Sequence, residues 1–291
     1  MTGHIASSGN IQSLVNYNKN ITNNYAYYKL FQNCSGLLNT PSLYCKTLLI
    51  DCYAYMFYNC SSLSSANTFP PILLQAQQDS CMQMFGKCSS LTVPPNINGS
   101  STFSVGNNAF QGMFEGCTSL VTPPALNFNM NSTAVQRVFR NMFYDCTSLS
   151  SVTLPGGTNV GGQEVFAKMY TNCISLTSVP ELTYNLHYGC YQGMFQGCTG
   201  LSTVPSNMLP QLNLQVNCYR EMFSGCTNLL AAPVLASNSL TSYCYANMFS
   251  NCTSLTSMNV GFTSWDSTAT QNWVTAITTT GTFTKPDALS E

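Results

Sequence analysis

The chain has 291 residues, of which 7% are charged, with nine Lys or Arg against ten Asp or Glu. Without a basic stripe to neutralise phosphates, nucleic acid is not an expected partner, and no apolar run reaches the ~18 positions a spanning helix needs, so no membrane insertion is predicted. The surface must then be mostly Ser, Thr, Asn and Gln, as is usual for proteins that work outside a cell or on a virion.

In chain order, residues 1–28 read as a lead-in that caps the start of a repeat array. The opening MTGHIASSGNIQSL lacks the charged start and continuous apolar core of a secretory signal. The expectation is that a signal has been removed or that the chain reaches its site by assembly.

From 29 to 258 one unit recurs: LFQNCSGL, MFYNCSSL, MFGKCSSL, MFEGCTSL, MFYDCTSL, MYTNCISL, MFQGCTGL, MFSGCTNL and MFSNCTSL. Its anchor cysteines are Cys34, Cys60, Cys88, Cys117, Cys146, Cys173, Cys198, Cys226 and Cys252, spaced 25 to 29 residues apart. A fixed period of this size, within the leucine-rich-repeat range, predicts one elongated solenoid rather than two globular domains.

Counting the anchor Cys as position 0, apolar residues recur at −8, −7, −4, −3 and 0, as in Cys218, Tyr219, Met222, Phe223 and Cys226. That spacing fits a helix with one buried face. Asp51, Asp79, Asn108 and Asn217 at −9 suit N-caps. Charges such as Lys87, Glu115, Arg140, Asp145 and Lys168 fall at the intervening positions, so they are expected on the outer face.

After the Cys comes a Ser/Thr turn and a Leu, then short β-branched stretches such as LTSVPEL and LSTVPSN that read as brief strands leaving their ladder at proline. The predicted fold class is therefore an α/β repeat: a solenoid of about nine helix-turn-strand units, parallel strands on one face and short helices on the other. Segments such as PPNINGSSTFSVGNNAF read as loops along one edge.

Residues 259–291 replace the repeat and read as a C-terminal cap, with Trp265, Trp273, Val274 and Ile277 covering the last rung on a helix capped by Asp266 or Ser267.

Fifteen cysteines invite a disulfide reading. Helices packed about 8 to 10 Å apart would keep neighbouring ladder cysteines beyond the ~7 Å that a disulfide tolerates, so buried free thiols are expected. No CxxC occurs, and no metal or cofactor is expected. The histidines are His4 and His187; catalysis would need His187 to activate Cys190, or Glu115 and Asp145 to share a cleft, and neither pattern resembles a working constellation. The protein is not expected to be an enzyme.

Function is then left to the strand face. Thr122, Ser151, Ser178, Thr203 and Ser257 lie two residues after the Leu of their units, where strand alternation would point them outward as a polar ladder. They are the candidate ligand-binding residues.

The recurring MFxxCxSLxxxP unit, over about residues 25 to 285, resembles the BspA-like, bacterial-surface-protein type of leucine-rich repeat. SGNIQSL at the start and NWVTAITTTGTFTK at the end resemble the flanks of such arrays in proteins of gut bacteria and their phages, where the array continues into a Trp-containing tail. The resemblance implies a piece of a longer protein, a right-handed leucine-rich-repeat solenoid and adhesion to a cell-surface protein or glycan. It also implies, as the alternative, a phage fibre or decoration protein that recognises the host, in either case within a larger surface or virion assembly.

Overall fold

The structure, a computed structural model, describes residues 5–6, 22–66, 69–70, 72–130, 134–157, 162–278 and 280–289. Successive units stack as coils, and every strand pairing among the described residues is parallel. Strand β1 (Ile5–Ala6) pairs with β2 (Leu37–Asn39), a four-stranded sheet runs β3 (Thr47–Leu48), β4 (Leu73–Ala76), β5 (Ile97–Val105), β6 (Leu126–Asn127), and β7 (Ser257–Asn259) pairs with β8 (Thr282–Thr284).

The predicted helices are absent: no described residue is helical. Positions −9 to 0 instead form a ribbon of consecutive tight turns. In the unit of Cys60, the N–H groups of Cys52, Ala54, Met56, Tyr58 and Cys60 donate to the carbonyls three residues back, at 3.1–3.2 Å. The alternate N–H groups, of Asp51, Tyr53, Tyr55, Phe57 and Asn59, donate across to Gln78, Ser80, Met82, Met84 and Gly86 of the next unit, at 2.7–3.2 Å. A helix would keep all of these bonds within its own segment, four residues back.

The ribbon repeats every four residues, and its backbone turns left-handed at −9, −5 and −1. In this unit those are Asp51, Tyr55 and Asn59, with φ of 53°, 56° and 59°. The same three positions are left-handed before every anchor cysteine, and Asn, Asp or Gly holds most of them, the residues that enter this region at least cost. Asp51, Asp79, Asn108 and Asn217 are therefore the first left-handed residue of their ribbons rather than N-caps. Apolar residues at −8, −7, −4, −3 and 0 satisfy a period of 4 as well as one of 3.6 over so short a stretch, so periodicity could not separate the two.

The strands also differ from expectation. LTSVPEL (176–182) and LSTVPSN (201–207) contain no strand, because Pro180 and Pro205 have no N–H to give a ladder. Parallel bridges at the second residue after the Leu do form at Asn39, Ser65 and Val93, and at Ala231 and Ser257. Conversely, the segment expected as a loop beyond Pro95 contains β5, with nine residues the longest described strand.

The core follows from the ribbon. At −3, Phe31, Phe57, Phe85, Phe114, Phe143, Tyr170, Phe195, Phe223 and Phe249 stack in one column, with ring centroids 5.3–6.0 Å apart and planes within 2–14° of parallel. A second column at −7 runs Phe110, Phe139, Phe166, Tyr191, Tyr219 and Tyr245. Where Tyr170 replaces Phe, its hydroxyl accepts the Thr153 N–H at 3.0 Å and donates to the Thr153 carbonyl, so the added polar atom is satisfied inside the core.

The anchor cysteines are free thiols, for a reason other than helix spacing. Backbone bonds across the ribbon bring units to roughly the 4.8 Å separation of parallel strands, within disulfide range. From Cys60 on, each thiol instead donates to the carbonyl at −3 of the preceding unit, as Cys60 to Phe31, Cys88 to Phe57, Cys146 to Phe114 and Cys252 to Phe223, at 3.0–3.1 Å. A small, buried donor is what this position needs.

At the far end, Tyr245, Asn247, Phe249 and Asn251 donate to Ala269, Gln271, Trp273 and Thr275 at 2.7–3.0 Å, so residues 267–276 form one more run of turns. Asp266 Oδ1 accepts the Thr268 and Ala269 N–H groups at 2.8 and 3.0 Å.

Candidate functional site

The face opposite the ribbon is built by the two residues that come after each repeat Leu. The Leu points inward, as do Leu120, Leu149, Leu176 and Leu201, all fully buried. From Ser64 on the next residue is exposed, and in several units its hydroxyl turns back on the array: Thr92 donates to the Ser64 carbonyl, Ser150 to Val121 and Thr256 to Leu230, at 3.1–3.2 Å. These hydroxyls brace one unit on another.

The residue after that carries the candidate site. Thr122, Ser151, Ser178, Thr203 and Ser257 are all exposed, and none of their hydroxyls is engaged by another described residue. Thr122, Ser151, Ser178 and Thr203 come from four consecutive units, one hydroxyl per unit; Ala231 interrupts the row before Ser257. Around them stand half-exposed apolar side chains, Val93, Val121 and Leu230. The arrangement offers repeated donors and acceptors on a broad, uncharged surface.

The residues considered for catalysis are disposed differently. Cys190 is buried, and burial pushes its thiol up to about 12, so at neutral pH it holds its proton and is no nucleophile. Its N–H bonds the His187 carbonyl at 3.2 Å, a backbone contact. Glu115 and Asp145 do face each other across adjacent units: burial raises the Glu115 carboxyl, and the Asp145 charge raises it further. Both are already in use, Glu115 accepting from Gln83 at 2.5 Å and Asp145 from Asn172 at 2.7 Å. His4 lies outside the described residues.

Sequence reasoning missed two features. One is the amide rows on the coil surface, Asn59 donating to Asn33 at 2.9 Å and Asn127 to Asn98 at 2.7 Å. Their signal was present, since an amide can both donate and accept along a stack. The other is a cavity at the C-terminal end, which joins residues too far apart in sequence to suggest one another. Among the described residues no group of three or more His, Cys, Asp and Glu is placed to hold a metal ion, and no helix is long and apolar enough to cross a membrane.

Residues 111–202 and 168–274, together more than half of the chain, match the model of the BspA type leucine rich repeat region, in 6 copies. No curated protein matches the sequence. Two solved structures are similar to it. A leucine-rich repeat protein from Bacteroides ovatus is 14% identical, with 80% of this chain and 75% of that chain covered at a TM-score of 0.24. A leucine rich cell surface protein from Faecalibacterium prausnitzii is 15% identical, with 88% and 80% covered at a TM-score of 0.30.

Proposed function

Since the chain belongs to the BspA-type leucine-rich-repeat family, we propose that it is a non-enzymatic recognition module that works at a cell surface and binds a protein or glycan there through its strand-side face. The observation that carries this reading is the row of exposed hydroxyls at Thr122, Ser151, Ser178 and Thr203, none of them engaged by another described residue. A flat, repeated, uncharged surface suits an extended partner, whereas catalysis needs convergent groups with perturbed acidity in a concave site. The cofactor requirement is none.

A second reading comes from the likeness of the chain's opening and closing segments to the flanks of such arrays in phages: a virion fibre or decoration that recognises the bacterial host. One experiment addresses both. Fluorescent protein is incubated with intact gut bacteria and with mammalian epithelial cells, beside a Ser151→Lys/Ser178→Lys variant, and cells are counted by flow cytometry. Staining of epithelium lost in the variant supports the adhesin; staining of a few bacterial strains lost in the variant supports the phage reading. Staining of both cell types equal to that of the variant would remove the hydroxyl row from the function.

A further inference from the structure

The geometry points to a second binding site, at the C-terminal end of the array, that takes a neutral saccharide of one or two rings. The site is a cavity of about 330 Å³ between the last ribbon and β8, at the small end of the range typical of ligand pockets. It goes beyond the recognition reading above and does not rest on it, although Ser257 belongs to both surfaces.

Three aromatic side chains shape the wall. Trp265 and Phe283 are each 44% exposed. Their rings are stacked, 15° from parallel with centroids 6.3 Å apart, and both line the cavity. Trp273 is 8% exposed and meets Trp265 edge-on, at 6.0 Å and 70°, which holds the outer indole in place. Exposed rings occur elsewhere too, at Tyr25, Tyr44 and Tyr188; here two exposed rings and a buried indole line one cavity.

The remaining lining narrows the ligand class. Ser257, Thr278 and Thr282 add hydroxyls at the rim, and no lining residue carries a charge. An ionic ligand would find no countercharge, and a purely apolar one would cover hydroxyls without giving them partners, which costs free energy. A pyranose suits both surfaces. Its axial C–H bonds, slightly positive, pack on the negative face of an indole or phenyl ring, while its equatorial hydroxyls exchange hydrogen bonds with Ser and Thr.

The protein carries its own reporter, because its two tryptophans, Trp265 and Trp273, both line the cavity. The full chain is titrated with neutral oligosaccharides of glucose, mannose, xylose, galactose and N-acetylglucosamine, and in parallel with the uncharged apolar dye N-phenyl-1-naphthylamine, with indole emission followed throughout. The expected result is a saturable change in emission with at least one oligosaccharide, weakened about tenfold or more in Trp265→Ala, as loss of an anchoring aromatic produces. Because Trp265 also packs on Trp273, thermal unfolding is recorded for each variant. If Trp265→Ala lowers the midpoint, Phe283→Ala on the exposed strand is read instead, and weakened binding there with normal unfolding supports the site. No saturable response to any oligosaccharide, a response to the dye alone, or unchanged saccharide affinity in both variants overturns the proposal. Ser151→Lys/Ser178→Lys retains the emission response, so failure of the strand-face reading and failure of this one are told apart.

Discussion

The two sides of each coil are held by different means. On the ribbon side, alternate N–H groups of every unit reach the next unit, and the bonding runs without a break from Tyr25 to the final turns near Thr275. On the strand side the connections are short and intermittent: isolated bridges at Asn39, Ser65, Val93, Ala231 and Ser257, and no strand in the units of Cys173 and Cys198. The backbone of the ribbon therefore carries the array, and the strand side is free to vary in length and to present side chains outward. A leucine-rich repeat with helices on one side spaces its units widely there and bends. Here the ribbon joins successive units by backbone hydrogen bonds instead.

Alkaline pH should break the ribbon side first and give the largest effect. Burial pushes the thiols of Cys60, Cys190 and Cys252 up to about 12 and that of Cys244 up to about 11. In the unfolded chain a thiol loses its proton near pH 8.5. Above that pH the unfolded state binds fewer protons than the folded state, so stability that is fully present at neutral pH falls as pH rises toward the folded values. Each such group contributes about 1.4 kcal/mol per pH unit at most. Denaturant midpoints taken from pH 7 to 10 should drop steeply; a flat profile over that interval would contradict the buried thiol ladder.

Removing one ring from the column comes next. Phe143 is fully buried and stacks on Phe114 and Tyr170, so Phe143→Ala should lower unfolding free energy by about 3 to 5 kcal/mol in urea titration. The strand side supplies the contrast. Ser151 is exposed and unengaged, so Ser151→Ala should stay within about 0.5 kcal/mol of the parent. A large loss at Ser151 would mean that its hydroxyl supports the fold and is not free for a ligand.

Much of the molecule is legible in its sequence. The anchor cysteines, the inward Leu and the Met-Phe pair announce the repeat, the family and the core, because burial is written directly into residue type. The helix assignment failed because its nine positions span only about two and a half turns, too few to distinguish one period from the other. A correcting signal was nevertheless present: Asn141 and Asp145, and the glycines at 189, 193 and 197, recur at steps of four, a composition that suits left-handed backbone and is poor for a helix interior. The hydroxyl row was readable because alternation about the buried Leu fixes which side chains face out. The C-terminal cavity was not, since Trp265 and Phe283 meet only through the return of β8 onto β7.

The left-handed ribbon is the central structural claim, and Lys168 tests it most directly. It sits at −5 before Cys173 with φ of 56°, half-buried in the middle of the array. Stability is compared between Lys168→Ala and Lys168→Gly, which both delete the side chain and differ only at Cβ. The ribbon predicts that Gly is more stable than Ala by about 1 to 2 kcal/mol, because a left-handed residue with a Cβ crowds the next carbonyl. If Ala is instead the more stable by about 1 kcal/mol, as in a helix interior, the ribbon is wrong and the helix is right.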